Sequence, residues 1–290
     1  MKTSVSEQGE EMSSNPRFKL KLKKFDISRI NSDHVVNMIG KRRTGKSTII
    51  FDILHYNATI PCGTVISGTE DSNKAFSGVV PSMFIHEEYN PMIISNVIKR
   101  QKLIGKRLQK DLEERGSSNI DARNFLIMDD CMYDESWTRD RNIRYLFMNG
   151  RHIKTLTVVT MQEPMGIPPA LRSQVDFVFI LRQNIISNRK KIYEQWAGMF
   201  PSFDAFCQVL DQCTENYECL VIDNTTPSNK LEDQVFWYKA QIRPKFRVCA
   251  PEYWAHSATH SRDAEDDGDG DFDPSTGGPR RRFHLDVVRR

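Results

Sequence analysis

Short apolar runs alternate with longer amphipathic segments along most of the chain. The runs at 35–39, 63–69, 124–128, 155–160 and 175–181 are rich in β-branched and other apolar residues, which predicts strands buried on both faces. Segments with helical spacing lie between them. This β-α alternation indicates an α/β fold, in which a mostly parallel sheet carries helices on both faces. Ligands of such sheets bind at the carboxyl ends of the strands.

The longest amphipathic segment predicts a helix over 92–115 that ends at Gly116. Its apolar face comprises Ile94, Val97, Ile98, Ile104, Leu108 and Leu112, interrupted by Gln101. Its opposite face carries Lys99, Arg100, Lys102, Lys106, Arg107 and Lys110. A basic face of this kind is either solvated or a stripe that contacts DNA.

Weaker patterns complete the predicted elements. Residues 18–24 alternate as an edge strand with a lysine face, and 84–86 are a short strand candidate. Helices are predicted at 138–150, from 168, at 188–199 and at 203–213, and further strands near 218–223 and 234–240. Four aromatic residues after the fifth run are interpreted as packing residues rather than a base-stacking platform: Trp196, Phe200, Phe203 and Phe206.

Composition sets the domain limits. We predict a disordered, polar segment at 1–16 and one P-loop domain at 17–257, with its core at 35–185 and a helix-and-strand extension at 186–257. Residues 258–290 contain an acidic stretch and then a basic one, and we predict a disordered C-terminal tail there.

Charge and cysteine content exclude little. The chain carries 41 Lys and Arg against 38 Asp and Glu, so its net charge of +3 gives no argument for nucleic acid. Cys207, Cys213 and Cys219 recur every six residues without a histidine cluster, which favours buried reduced thiols over zinc. No apolar run approaches the roughly 18 residues that a membrane-spanning helix needs, so no such helix is expected.

The strongest local signal fits the pattern G-x-x-x-x-G-K-[ST] between the first predicted strand and a helix. Its two glycines let successive N–H groups face phosphate oxygens, and the helix N-terminus adds partial positive charge. Lys46 is expected on the β- and γ-phosphates, and the Ser47 hydroxyl on Mg²⁺. A basic turn before a helix is the alternative, and the flanking pattern favours the phosphate loop. The predicted nucleotide-binding residues are Gly40, Lys41, Arg42, Arg43, Thr44, Gly45, Lys46, Ser47 and Thr48.

Polar residues also end two later strands. Asp129 and Asp130 follow the run at 124–128, which is the Walker B pattern. We predict that Asp129 holds Mg²⁺ and its water, and that Asp130 positions the attacking water. Gln162 follows the run at 155–160 and could sense the γ-phosphate or orient water. All these residues fall at strand carboxyl ends, which supports an NTPase.

Several segments together resemble the genome-packaging ATPases of nucleocytoplasmic large DNA viruses, which belong to the FtsK/HerA group of P-loop motors. The resemblance covers about 35–185 and rests on Asn149-Gly-Arg151-His152, Met161-Gln162, Leu171-Arg172 and the run from Asp176 to Arg182, with Asp129-Asp130 before them.

The resemblance implies a core strand order of 5-1-4-3-2, ATP and Mg²⁺ as cofactors, and a ring of identical subunits. It also implies translocation of double-stranded DNA into a capsid, with capsid or portal-site proteins as further partners. Such a protein is expected in the host cytoplasm at the virus factory, and the virion is a second expected location. The resemblance further assigns Gln162 to catalysis and Arg151 to the ATP of a neighbouring subunit. The sequence departs from the wider group at Asp130, where Glu is usual.

Two other functions stay open from the residues alone. A P-loop kinase or GTPase would act on a small substrate or as a switch. A GTPase should carry N-K-x-D, whose nearest match is Asn229-Lys230-Leu231-Glu232. A nucleotide-binding scaffold without turnover would not need paired acids.

Overall fold

The computed structural model describes residues 20–131 and 135–266. The chain divides into two compact units, and the first ends at Ala250. The second begins at Pro251 and contains one described helix, Pro251–Asp266, which crosses residue 258, where the sequence places the start of the tail. The predicted segment 1–16 and residues 267–290 lie outside the described residues.

The first unit contains strands and helices in alternation. The strands are β1 Lys23–Lys24, β2 Val35–Ile39, β3 Cys62–Ser67, β4 Ile85–His86, β5 Asn124–Asp129, β6 Thr155–Met161, β7 Phe177–Ile180, β8 Glu218–Asp223 and β9 Val235–Lys239. The helices are α1 Lys46–Tyr56, α2 Glu70–Asn73, α3 Pro91–Arg115, α4 Arg141–Asn149, α5 Pro169–Arg172, α6 Ile186–Trp196, α7 Phe203–Cys213 and α8 Leu231–Gln234, and the helix of the second unit is α9.

All strands of the described residues form one sheet in the order β1-β9-β8-β7-β2-β6-β5-β3-β4. The core strands β7, β2, β6, β5 and β3 are parallel neighbours, so the predicted core order 5-1-4-3-2 is confirmed. Strands β8 and β9 extend the sheet beyond β7: β8 runs antiparallel to β7, and β9 runs antiparallel to β8. Of the edge strand predicted at 18–24, the described residues contain only β1, which lies at the sheet edge beside β9, and residues 20–22 are not in a strand.

Close packing of the central strands explains their apolar composition. Every residue of β2, β3, β5, β6 and β7 is buried, because helices cover both faces of the sheet. A Cβ atom at Gly63 would lie 2.0 Å from the ring of Phe125 on β5, so only glycine fits there. Trp196, Phe200 and Phe206 are core residues, which confirms their interpretation as packing residues.

Helix α3 departs from its prediction in its second half. Asn90 caps its first turn through a side-chain bond to the Met92 N–H, and Gly116 ends it with φ of 71°. The buried residues of α3 all precede position 102, whereas Leu112 is 49% exposed. The last 14 residues of α3, at 102–115 and about 21 Å long, therefore lie outside the hydrophobic core, although the spacing of apolar residues continues there.

Within the described residues no helix is long and apolar enough to cross a membrane. The six cysteines are free, and the described residues contain no group of three or more His, Cys, Asp or Glu side chains able to hold a metal ion.

Candidate nucleotide-binding site

The loop between β2 and α1 has the compact form that its glycines predict. The Gly40 N–H donates to the Met161 carbonyl at 3.0 Å, which fixes the start of the loop to the end of β6. A Cβ at Gly40 would lie 2.8 Å from the Thr44 hydroxyl oxygen. Gly45 has φ of 105°, a conformation that favours glycine, and it directly precedes α1. A loop of this form, placed directly before a helix N-terminus, can present its backbone N–H groups to a bound anion.

Lys46 is held inside the loop. It is only 8% exposed, and its Nζ donates to the carbonyls of Gly40 at 2.7 Å and Lys41 at 3.3 Å. Burial lowers the pKa of Lys46, while the nearby charges of Asp130 and Asp129 act to raise it. The ammonium group thus lies between the loop and the two acids, where phosphate oxygens would neutralise it.

Asp129 ends β5 and is nearly buried, at 7% exposure. Its Oδ1 accepts a hydrogen bond from the Thr160 hydroxyl of β6 at 2.7 Å. Burial raises the pKa of Asp129, and the Thr160 bond and the Lys46 charge oppose that rise. This carboxylate has one oxygen oriented by the sheet and faces the loop.

Asp130 follows in a left-handed conformation, with φ of 56°. Its backbone N–H donates to the Thr160 hydroxyl oxygen at 3.0 Å. Gln162 Nε2 donates to both carboxylate oxygens, at 2.7 Å and 2.6 Å. Thr160 of β6 and Gln162 directly after it therefore hold the two acids. The sequence predicts that these residues lie near each other, but not the hydrogen bonds between them.

The loop, the acids and α1 enclose a cavity of about 490 Å³. Its lining includes Lys46, Ser47, Asp129 and Asp130, together with Thr69 from the loop after β3. Mg²⁺ prefers hard oxygen ligands and completes its shell with water and phosphate. The Ser47 hydroxyl and the Asp129 carboxylate fit that preference, so these two residues could hold the ion beside a bound triphosphate.

Comparison with known proteins identifies relatives across most of the chain. Uncharacterized protein L437 of Acanthamoeba polyphaga mimivirus is 41% identical over 236 residues, which cover 81% of this chain and 82% of the relative. Uncharacterized protein 075L of Invertebrate iridescent virus 6 is 38% identical over 75% of this chain and 85% of its own length. Uncharacterized protein 015R of Frog virus 3 is 39% identical, over 77% and 67% respectively. The chain belongs to this family of nucleocytoplasmic large DNA virus proteins.

No family model matches the sequence. Among solved structures, its fold is similar to the genome packaging NTPase B204 from Sulfolobus turreted icosahedral virus 2 in complex with ATP-gammaS. That likeness has a TM-score of 0.46 and 15% identity, and covers 73% of this chain and all of the other.

The structure places one predicted catalytic residue of this family member far from the others. Arg151 is exposed in a short 3-10 helix, Gly150–Ile153, directly before β6. Its charge acts on Asp176, which accepts from the Val35 N–H at the start of β2. Arg151 therefore lies at the amino-terminal edge of the sheet, more than about 20 Å from Gln162 at the other end of β6. It cannot reach the phosphate loop of its own chain.

Two residues of the site have only weak sequence signals. Thr160 is a polar residue inside a buried strand, but its contact with the acids depends on the pairing of β5 with β6. Tyr217, in the turn before β8, lines the same cavity, is 73% exposed and has φ of 63°. Nothing in the local sequence points from that turn to a loop about 170 residues earlier.

Proposed function

We propose that this protein is an ATP-hydrolysing motor that translocates double-stranded viral DNA into the capsid during virion assembly. The observation that carries the proposal is the convergence of Lys46, Asp129 and Asp130 around one cavity at the carboxyl edge of the sheet, with Gln162 bonded to Asp130. A ring of identical subunits, capsid or portal-site proteins as partners, and a location in the host cytoplasm and the virion belong to the same proposal.

Each group in the cavity has a chemical task in hydrolysis. Lys46 and the loop N–H groups neutralise the phosphates, and Ser47 with Asp129 would hold Mg²⁺, which supplies charge stabilisation when bound. Asp130 accepts a proton from, or orients, the attacking water. Gln162 fixes Asp130 through both carboxylate oxygens, so a change at the γ-phosphate is transmitted to the end of β6.

The competing GTPase function has poor structural support. The nearest match to its guanine-reading motif, residues 229–232, lies between the end of β8 and the start of β9. Both of those strand ends lie at the amino-terminal edge, because β8 runs antiparallel to β7. The motif is therefore on the opposite edge of the sheet from Lys46.

The decisive experiment is steady-state hydrolysis of ATP and GTP, with and without double-stranded DNA, at several salt concentrations. We expect ATP turnover, stimulated by DNA, with stimulation that falls steeply as salt rises, because phosphate contacts release counterions. An enzyme that prefers GTP and ignores DNA would refute the proposal. Phosphate transfer to a small acceptor would identify a kinase instead.

The basic face of α3 is our first candidate for DNA contact. Lys99 and Lys106 are exposed on this helix, whereas Lys102 lies over the ring of Tyr145, at 4.5 Å from its centroid. The pair Lys99→Glu and Lys106→Glu should reduce DNA stimulation and preserve turnover without DNA. The matched control is Lys190→Glu with Lys191→Glu, two exposed lysines on α6. An equal loss of DNA stimulation in the two double variants would mean that the net charge of the protein, and not the basic face of α3, determines the stimulation.

A further inference from the structure

A second cavity, of about 890 Å³, lies against the outer side of α1. Its walls are the first half of α1, the turn around Gly78 and the segment 241–247. Thr48 lines both this cavity and the phosphate cavity, so the two spaces meet at the third residue of α1. We refer to it as the α1 cavity.

The order of groups in the phosphate cavity gives a bound triphosphate its direction. The acids at the end of β5 mark where the γ-phosphate reacts, and Lys46 lies between them and the loop. The α-phosphate must then lie at the end away from the acids, where Thr48 follows Ser47. Whatever is attached to the α-phosphate leaves the phosphate cavity beside Thr48.

The lining of the α1 cavity suits a nucleoside. Phe51, Val79, Ile242 and Phe246 supply apolar and aromatic surface, and Lys245 supplies positive charge, whereas the charge of Arg243 is matched by Asp52. Small-molecule sites typically combine mostly apolar walls with a few polar groups in volumes of about 300–1,000 Å³. A flat purine can stack on such walls, and Lys245 favours the adjoining phosphates.

The walls are also fixed before any ligand binds. Phe51 packs against Phe76, with ring centroids 5.3 Å apart. The Asp52 carboxylate accepts from the Gln241 N–H at 2.8 Å and from Arg243 Nε at 2.7 Å, which ties the segment to α1. At its other end the Val248 N–H donates to the Val79 carbonyl at 2.9 Å. A site held in this way loses little entropy on binding.

We infer that the α1 cavity binds the adenine and ribose of ATP, while the P-loop binds its phosphates. The inference rests on the proposed function only in that the P-loop binds the triphosphate. It assigns nucleoside affinity to residues outside the P-loop motif, on α1 and on a segment about 200 residues later.

Gly78 offers a test that spares the phosphate site. A Cβ at Gly78 would have no atom within 4 Å, and its φ is not in the left-handed range, so Gly78→Leu would fill the cavity without strain. Gly198 has equally open surroundings and does not line the cavity, so Gly198→Leu is the matched control. Ile242→Ser is a second probe, because Ile242 is 93% exposed and can be changed without loss of the fold.

The measurement is calorimetric binding of ATP and of inorganic tripolyphosphate, both with Mg²⁺. Wild type should bind ATP at least about tenfold more tightly than tripolyphosphate, and Gly78→Leu should remove that margin and leave tripolyphosphate unchanged. Ile242→Ser should reduce the margin, and Gly198→Leu should keep it.

Three results would overturn the inference while leaving the P-loop proposal intact. They are equal wild-type affinity for the two ligands, wild-type ATP affinity in both cavity variants, and an equal loss of both ligands in those variants. A wild-type protein that binds neither ligand would instead refute the proposed function, and the inference with it.

Discussion

Removing the carboxylate of Asp52 should destabilise the fold far more than removing a similar but exposed carboxylate. Asp52 is fully buried on α1 and accepts three hydrogen bonds, from the Tyr238 hydroxyl at 2.5 Å, the Gln241 N–H and Arg243 Nε. Burial, and then the bond to Asp52, raises the pKa of Tyr238, so that hydroxyl stays a donor at neutral pH. Asp52→Ala would leave all three donors without their acceptor.

The magnitude follows from burial. The Arg243 side chain is only 16% exposed, so the substitution leaves a largely buried guanidinium without its counter-charge. Breaking a buried pair from one side costs about 3–5 kcal/mol. At an m-value of about 3 kcal/mol per molar urea, that loss lowers the unfolding midpoint by more than about 1 M. Asp52→Asn keeps an acceptor oxygen but loses the charge, so its cost should be smaller.

The matched control is Asp121→Ala. Asp121 also pairs with an arginine, Arg123, at 2.6 Å, but the two side chains are 38% and 40% exposed. Exposed pairs contribute about 0–1 kcal/mol, so the control should barely move the midpoint. Urea unfolding followed by circular dichroism measures both variants. Similar midpoints for Asp52→Ala and Asp121→Ala would show that burial does not set the strength of this network.

Three further predictions concern catalysis. Asp130→Asn should bind ATP nearly as wild type and lower kcat by about 10²-fold or more, because Asn tolerates the left-handed backbone but cannot accept the proton; wild-type turnover would refute its role. Thr160→Val removes the hydroxyl that contacts both acids and should lower kcat at unchanged Kd for ATP, as turnover and calorimetry together can establish. Arg151→Ala and Lys46→Ala should each be inactive, because a trans-acting arginine accelerates hydrolysis by about 10³-fold or more and the lysine holds the phosphates. Mixed oligomers of the two should regain turnover at interfaces that pair an intact loop with an intact arginine; no recovery in oligomers shown to be mixed would exclude Arg151 as the trans group.

Features that depend on residues close together in the chain can be predicted from the sequence alone. Spacing of apolar residues predicts the buried strands, and a strand, two glycines and a helix predict the loop around Lys46. Asn90 and Gly116 bound α3 because capping is a local matter of backbone donors and acceptors. Parallel strands place their carboxyl ends at one edge, so the sequence predicts Asp129, Asp130 and Gln162 beside that loop.

Which of these groups are in contact depends on how the strands and helices pack in three dimensions. Thr160 contacts both acids because the pairing of β5 with β6 sets the register of the two strands. Arg151 lies at the opposite edge of the sheet from Gln162 because it precedes β6, whereas Gln162 follows it. Residues 102–115 of α3 keep the apolar spacing of a buried helix although they lie outside the core, since periodicity does not show which element packs against a helix. Likewise, Asp52 meets Arg243 across 191 residues of chain and so builds the wall of the α1 cavity. Contacts between segments so far apart depend on how whole layers pack, and no local pattern encodes that.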